Sequence, residues 1–167
     1  MTDRREQILQ RLLAILTAIA TSWRNDPSAT IPSGIPVKEV VRSRGEMPPE
    51  KRPAIMLLDA GEVARPGVAQ SRGRLTAGPQ LVDMTPEIYV VMDLREPDNE
   101  LLGEDLNAMR MVILKAIMFD GELATILGGN GSIRFAGAQT DLGEGRFMEG
   151  KMIIQMTFGY PLIPSEL

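Results

Sequence analysis

Apolar residues recur along this chain at two spacings, about 3.6 residues in some stretches and two in others, and the switches between them mark its elements. The clearest succession runs from Met84 to Tyr160. Leu106, Met109, Val112, Ile113, Ala116 and Ile117 share one face of a helix predicted over Glu104 to Phe119. Before it, the β-branched and aromatic run Ile88-Tyr89-Val90-Val91-Met92, bounded by Pro86 and Pro97, predicts a strand buried on both faces. After it, Met152, Ile154, Met156, Phe158 and Tyr160 alternate with Ile153, Gln155, Thr157 and Gly159, a strand with one apolar face. A helix laid across an antiparallel sheet buries both sets at once.

The remaining segments fit around this unit. Asp3 to Trp23 predicts a first helix, capped by Asp3 with Glu6 at capping-box distance. Its stripe is Ile8, Leu12, Ile15, Leu16 and Ile19, which leaves Arg4, Arg5, Gln7 and Arg11 to water. The helix should stop near Asn25-Asp26-Pro27. A proline-rich loop to Pro36 leads to a short strand over Val37 to Arg44 and a polar turn to Pro53. Ala54 to Asp59 predicts a buried strand. Leu81 to Leu94 predicts another, interrupted near Pro86, and Arg95 to Glu100 an acidic turn. Glu122 to Leu127 predicts a short helix, and Gly128-Gly129-Asn130-Gly131 its end. Two strands, Ser132 to Asp141 and Arg146 to Tyr160, are joined by a hairpin turn at Leu142 to Gly145, and Pro161 and Pro164 finish the second.

Ala60 to Pro79 has no clear period. Gly61, Gly67, Gly73 and Gly78 alternate there with Arg65, Arg72 and Arg74. A stretch of this length inside a compact domain is usually functional, and a long β-hairpin reaching a neighbouring subunit is one form it takes. The three arginines suit either a solvated face or contact with DNA or an acidic partner.

Composition narrows the chemistry. The 167 residues fit one domain, 1–167, with an ordinary core, at 44% hydrophobic and 24% charged residues. The net charge of −4 argues against a chain whose main task is coating nucleic acid. With no cysteine and no histidine, disulfides, thiolate nucleophiles, imidazole bases and the commonest metal ligands are all excluded. No apolar run reaches membrane-spanning length, and the first residues do not resemble a secretory signal, so a soluble cytoplasmic protein is expected. Eleven methionines stand beside one tryptophan, two tyrosines and four phenylalanines, a balance suited to core filling and to subunit contacts.

Candidate catalytic groups are few. The glycine run at 128–131 follows a helix and precedes a strand, the reverse of a phosphate loop. Asp93, Glu96, Asp98, Glu100, Glu104 and Asp105 suit a hard cation by composition, without the calcium-loop spacing, and a solvated turn suits them better. Asp141, Glu144 and Glu149 flank a hairpin turn, where burial for acid–base work is missing. Ser43 and Ser132 have no histidine to activate them. The expectation is no enzyme, no cofactor and no metal, and a domain that works by docking.

The order of motifs adds a resemblance. The opening helix Arg5 to Trp23 is followed by Val40-Val41-Arg42-Ser43-Arg44-Gly45 and by Arg52-Pro53-Ala54-Ile55-Met56-Leu57-Leu58-Asp59-Ala60-Gly61-Glu62. Then come Met84-Thr85-Pro86-Glu87-Ile88-Tyr89-Val90, Leu106-Asn107-Ala108-Met109-Arg110 and the closing Phe158-Gly159-Tyr160. Over nearly the whole chain this resembles the tail terminator (minor tail protein U-like, tail completion) proteins of long-tailed bacteriophages. The resemblance implies an α+β subunit, with a mainly antiparallel sheet packed by the N-terminal and central helices and a long hairpin or loop. It also implies a homo-hexameric ring that caps the head-proximal end of the tail tube, stops its growth and joins the head connector in the virion neck. Arg65, Arg72 and Arg74 are then candidates for contact with a neighbouring subunit, the tube or DNA in the lumen. Another neck component, a head-completion or stopper protein, shares this style.

Overall fold

The computed structural model describes residues 3–26, 36–43, 45–59, 61–65, 80–93, 101–142 and 149–162. The fold they form is α+β: helices on one face of a mainly antiparallel, seven-stranded sheet. The elements are α1 (Arg4–Asn25), β1 (Glu39–Arg42), β2 (Ala54–Leu58), β3 (Glu62–Ala64), β4 (Gln80–Met84), β5 (Glu87–Asp93), α2 (Leu102–Met118), α3 (Gly121–Leu127), β6 (Ser132–Leu142) and β7 (Glu149–Leu162).

Register explains the sheet. Gln80 lies opposite Leu162 and Asp93 opposite Glu149, and every pairing between keeps step, so β4 and β5 are one strand running antiparallel to β7. Pro86 has no N–H to give, and the ladder is interrupted there, at the expected place. On the far side, β2 pairs with β5 and β3 with β4, with a one-residue shift between them. The other edge of β7 carries β6, which bulges between Phe135 and Gly137. Only β1 is parallel, to β2. The last strand does not stop at Pro161 as expected. It continues to Leu162, because Pro161 still faces Leu81 and its carbonyl accepts from Arg4 Nη1 at 3.2 Å.

Even-numbered residues of β7, from Met152 to Tyr160, meet Ile88, Val90 and Met92 of β5 and the apolar stripes of all three helices in one core. Trp23, Phe158 and Tyr160 are its largest fully buried side chains. The α2 face predicted from sequence is there: Leu106, Met109, Ile113 and Ile117 are buried, with Val112 and Ala116 half-buried beside them. Seven methionines, at 47, 56, 84, 92, 109, 152 and 156, are buried, whereas Met111 and Met118 are exposed. A smaller cluster on the opposite sheet face joins Met47, Ala54, Met56 and Val91, so β5 is covered on both faces only around Val91.

Ion pairs fasten the helices to the sheet. Asp3 caps α1 as expected, accepting from the Arg5 N–H at 3.3 Å. Glu6 does not close a capping box; its carboxylate accepts from Arg42 at 2.6 and 2.9 Å. Arg42 also donates to Asp59 at 2.8 and 2.7 Å, so one guanidinium joins α1, β1 and the end of β2. Arg11, expected in water, donates to Asp120 at 3.0 and 2.7 Å and reaches Glu122 at 2.5 Å. Asp120 at the same time caps α3, accepting from the Leu123 N–H at 2.6 Å. Periodicity shows that Arg11 points away from the α1 stripe; only packing brings α3 to it.

These arginines hold the carboxyls of Glu6, Asp59 and Asp120 below their ordinary range, chiefly through the hydrogen bonds from Arg42 and Arg11. A depressed carboxyl contributes stability above its unfolded pKa, about 4, and loses it as pH falls through the folded value. Thermal stability should therefore hold above about pH 5 and fall on acidification below about pH 4. The variant R42M should lose about 1–2 kcal/mol at pH 7, and this deficit should shrink toward pH 2. Melting curves across pH for both proteins measure this, and parallel acid slopes would show that Arg42 does not carry the linkage.

Candidate functional site

The helices cover one face of the sheet, and odd-numbered residues of β4, β5 and β7 point from the other. Along this open face β3, β4, β7 and β6 bring together Arg65, Asp83, Gly159, Ser132 and Arg134. None of this is visible as a motif. Asp83 and Ser132 both face Gly159 across their ladders, and Arg134 faces Thr157 two residues on, so strand register alone assembles the group.

Arg65 follows β3, and its N–H bonds to the Leu81 carbonyl at 2.9 Å, extending the hairpin base formed by β3 and β4. Its side chain turns back across the sheet. Nε and Nη2 donate to Asp83 Oδ1 at 2.8 and 2.6 Å, and Nη2 also donates to Ser132 Oγ at 2.8 Å. Arg134 approaches from the other side, donating from Nη2 to Asp83 Oδ2 at 2.8 Å. The Asp83 carboxyl is held below its ordinary range, first by Arg65 and then by Arg134, while Arg65 is raised by the same contact. Two guanidiniums thus share one carboxylate, leaving a net positive charge on the face of an acidic protein. Gly159 is the bare floor of the arrangement: a Cβ there would stand 2.6 Å from Ser132 Oγ and 2.9 Å from Asp83 Oδ1.

A shallow groove of about 620 Å³ runs past this network, with Val63, Thr85, Thr157, Phe135 and Arg134 along it. Thr85 and Thr157 bond to each other at 3.0 Å across the strands. Val63 is 71% exposed and Phe135 43%, both high for apolar side chains. Beyond it, Glu87 accepts from Tyr89 and Gln155, each at 2.7 Å, and the Lys151 ammonium lies 4.4 Å from the Tyr89 ring centre. Guanidiniums, hydroxyls and exposed apolar groups together are the equipment of a docking surface.

Of the arginines singled out from sequence, Arg65 belongs to this site as part of an ion pair, while Arg72 and Arg74 lie outside the described residues. Of the long hairpin or loop expected in that region, β3 and β4 pair antiparallel, and residues 66–79 between them lie outside the described residues. Most of the acidic turn, with Glu96, Asp98 and Glu100, is likewise outside. Glu104 is exposed on α2 and Asp105 is buried in its first turn. Among the described residues no group of three or more acidic side chains could hold a metal ion, and no helix is long and apolar enough to cross a membrane. Gly128 ends α3 with a φ of 78°, a positive-φ conformation that suits glycine. Asp83, Ser132 and Arg134 were not legible as partners beforehand, although the alternation of β6 and β7 places Ser132 and Arg134 on one face. No protein-family model matches the chain, and no curated protein matches it.

Proposed function

We propose that this protein is a tail terminator of a long-tailed bacteriophage, a virion assembly protein. Six copies form a ring on the head-proximal end of the tail tube, stop its polymerisation and present a surface to the head connector. The observation that carries the reading is the one-sided architecture. Three helices close one face of the sheet, while the other keeps a charged groove beside the paired strands β3 and β4, between which the chain carries Arg72 and Arg74. This agrees with the subunit that the motif order implies, and a domain built to meet other subunits needs such a second face. The partners are other copies of itself, the tail tube protein and neck proteins, with DNA passing through the lumen.

The test is tube capping. Tail tube protein is polymerised with and without this protein, and tube lengths and ends are read by negative-stain electron microscopy. Shorter tubes bearing a ring at one end are expected. Tubes of unchanged length with bare ends would overturn the proposal, and retention on tailless capsids alone would assign the protein to another station of the neck.

A further inference from the structure

The open-face groove has a counterpart on the helical side of the same molecule. At the α2–α3 corner Phe119 is 83% exposed and Met118 47%. Beside them Arg11 serves two carboxylates, Asp120 and Glu122, and Glu122 keeps 63% of its side chain in solvent. That corner is one arginine shared by two acids next to an exposed phenylalanine. The groove is one acid shared by two arginines, again next to an exposed phenylalanine. Arg134 is 54% exposed and gives Asp83 a single bond from Nη2.

We infer that the α2–α3 corner of one copy docks into the Val63–Arg134–Phe135 groove of the next, with Phe119 against Val63 and Phe135 and Glu122 on Arg134. Charge complementarity selects a second copy as the occupant: Glu122 and Arg134 are exposed and of opposite sign, each lies beside apolar surface, and both patches belong to one chain. Exposed aromatics with an arginine fit a protein partner better than a phosphate backbone, whose recognition needs cations and polar groups without apolar walls. The two patches are different surfaces of one chain, as a heterologous contact requires. Such contacts propagate head to tail and close into a ring when the rotation allows. The inference rests on the ring reading and deepens it by naming the surfaces that meet.

A charge swap tests it, with mass measured by multi-angle light scattering over a concentration series at low and high salt. The parent should self-associate, more strongly at low salt. R134E and E122R should each raise the dissociation constant at least about tenfold. The double variant R134E/E122R should recover most of the affinity, because the pair is restored with its signs exchanged. F119S should weaken association without changing its salt dependence. Melting temperatures identify any variant that fails to fold, and R134E and F119S, both at exposed positions, suffice if E122R does not. Parent-like association of R134E or F119S, or a double variant no better than the singles, overturns the inference. So does a parent that stays monomeric throughout. Tube capping by such a monomer, or by variants with undiminished association, would leave the tail-terminator reading standing and remove only this interface.

Discussion

Replacing Phe158 with alanine should lower the unfolding free energy by about 3–5 kcal/mol, the range for deleting a buried aromatic side chain. Phe158 lies at the middle of the sheet, facing Met84 of β4 on one side and Ile133 of β6 on the other. It is completely buried in the cluster that α1, α2 and α3 close from above. The cavity left behind cannot collapse easily, because its walls are strands held by ladders on both edges of β7. Chemical denaturation followed by circular dichroism reads the effect as a lower midpoint with an unchanged slope. A loss under about 1 kcal/mol would mean that the helices can settle into the gap, contrary to the close packing of protein interiors.

At the next residue, adding atoms should be the damaging change. Gly159→Ala places a methyl group where the Arg65 guanidinium lies, and within 2.6 Å of Ser132 Oγ and 2.9 Å of Asp83 Oδ1. The backbone can stay, since any residue tolerates extended geometry and the crowding atoms are ends of side chains. Arg65 should swing out, breaking its bonds to Asp83 and Ser132 and costing about 1–2 kcal/mol. With its principal partner gone, the Asp83 carboxyl should rise toward its ordinary range, since Arg65 is the largest cause of its depression. Side-chain NMR titration of Asp83 follows this directly. A double-mutant cycle isolates the share of Arg65: in an R65M background the G159A change should cost less, since only Ser132 Oγ and Asp83 Oδ1 still have to turn away from the methyl group. Equal costs in both backgrounds would show that Arg65 does not carry the strain.

These neighbours also show how far the chain could be read before its folding was known. Alternation from Met152 to Tyr160 marks Phe158 as inward and Gly159 as outward, because side chains leave a strand on alternate sides whatever lies beside it. The stripes of α1 and α2 and the break at Pro86 are legible for the same reason. Each depends on residues within a few positions of one another. The third strand, Glu62-Val63-Ala64, was hidden inside an aperiodic stretch. Its outer residue Val63 is exposed and its alternation too short to see, and it is a strand because β4 lies alongside.

Partnership across distance was decided by the tertiary structure. Composition singled out Arg65, and its partner turned out to be Asp83, with Ser132 beyond; Arg134 joined because the β6–β7 register sets it two residues from the glycine floor. Arg11 and Arg42 behaved likewise. A sequence shows that an arginine leaves the apolar stripe, but whether it ends in water or on a carboxylate depends on what packs beside it. Local geometry repeats every two or 3.6 residues and is written into the order of apolar and polar side chains. The meeting of Asp83 with Arg134, or of Glu6 with Arg42, requires the register of whole strands and the seating of helices, which only burial of the common core selects.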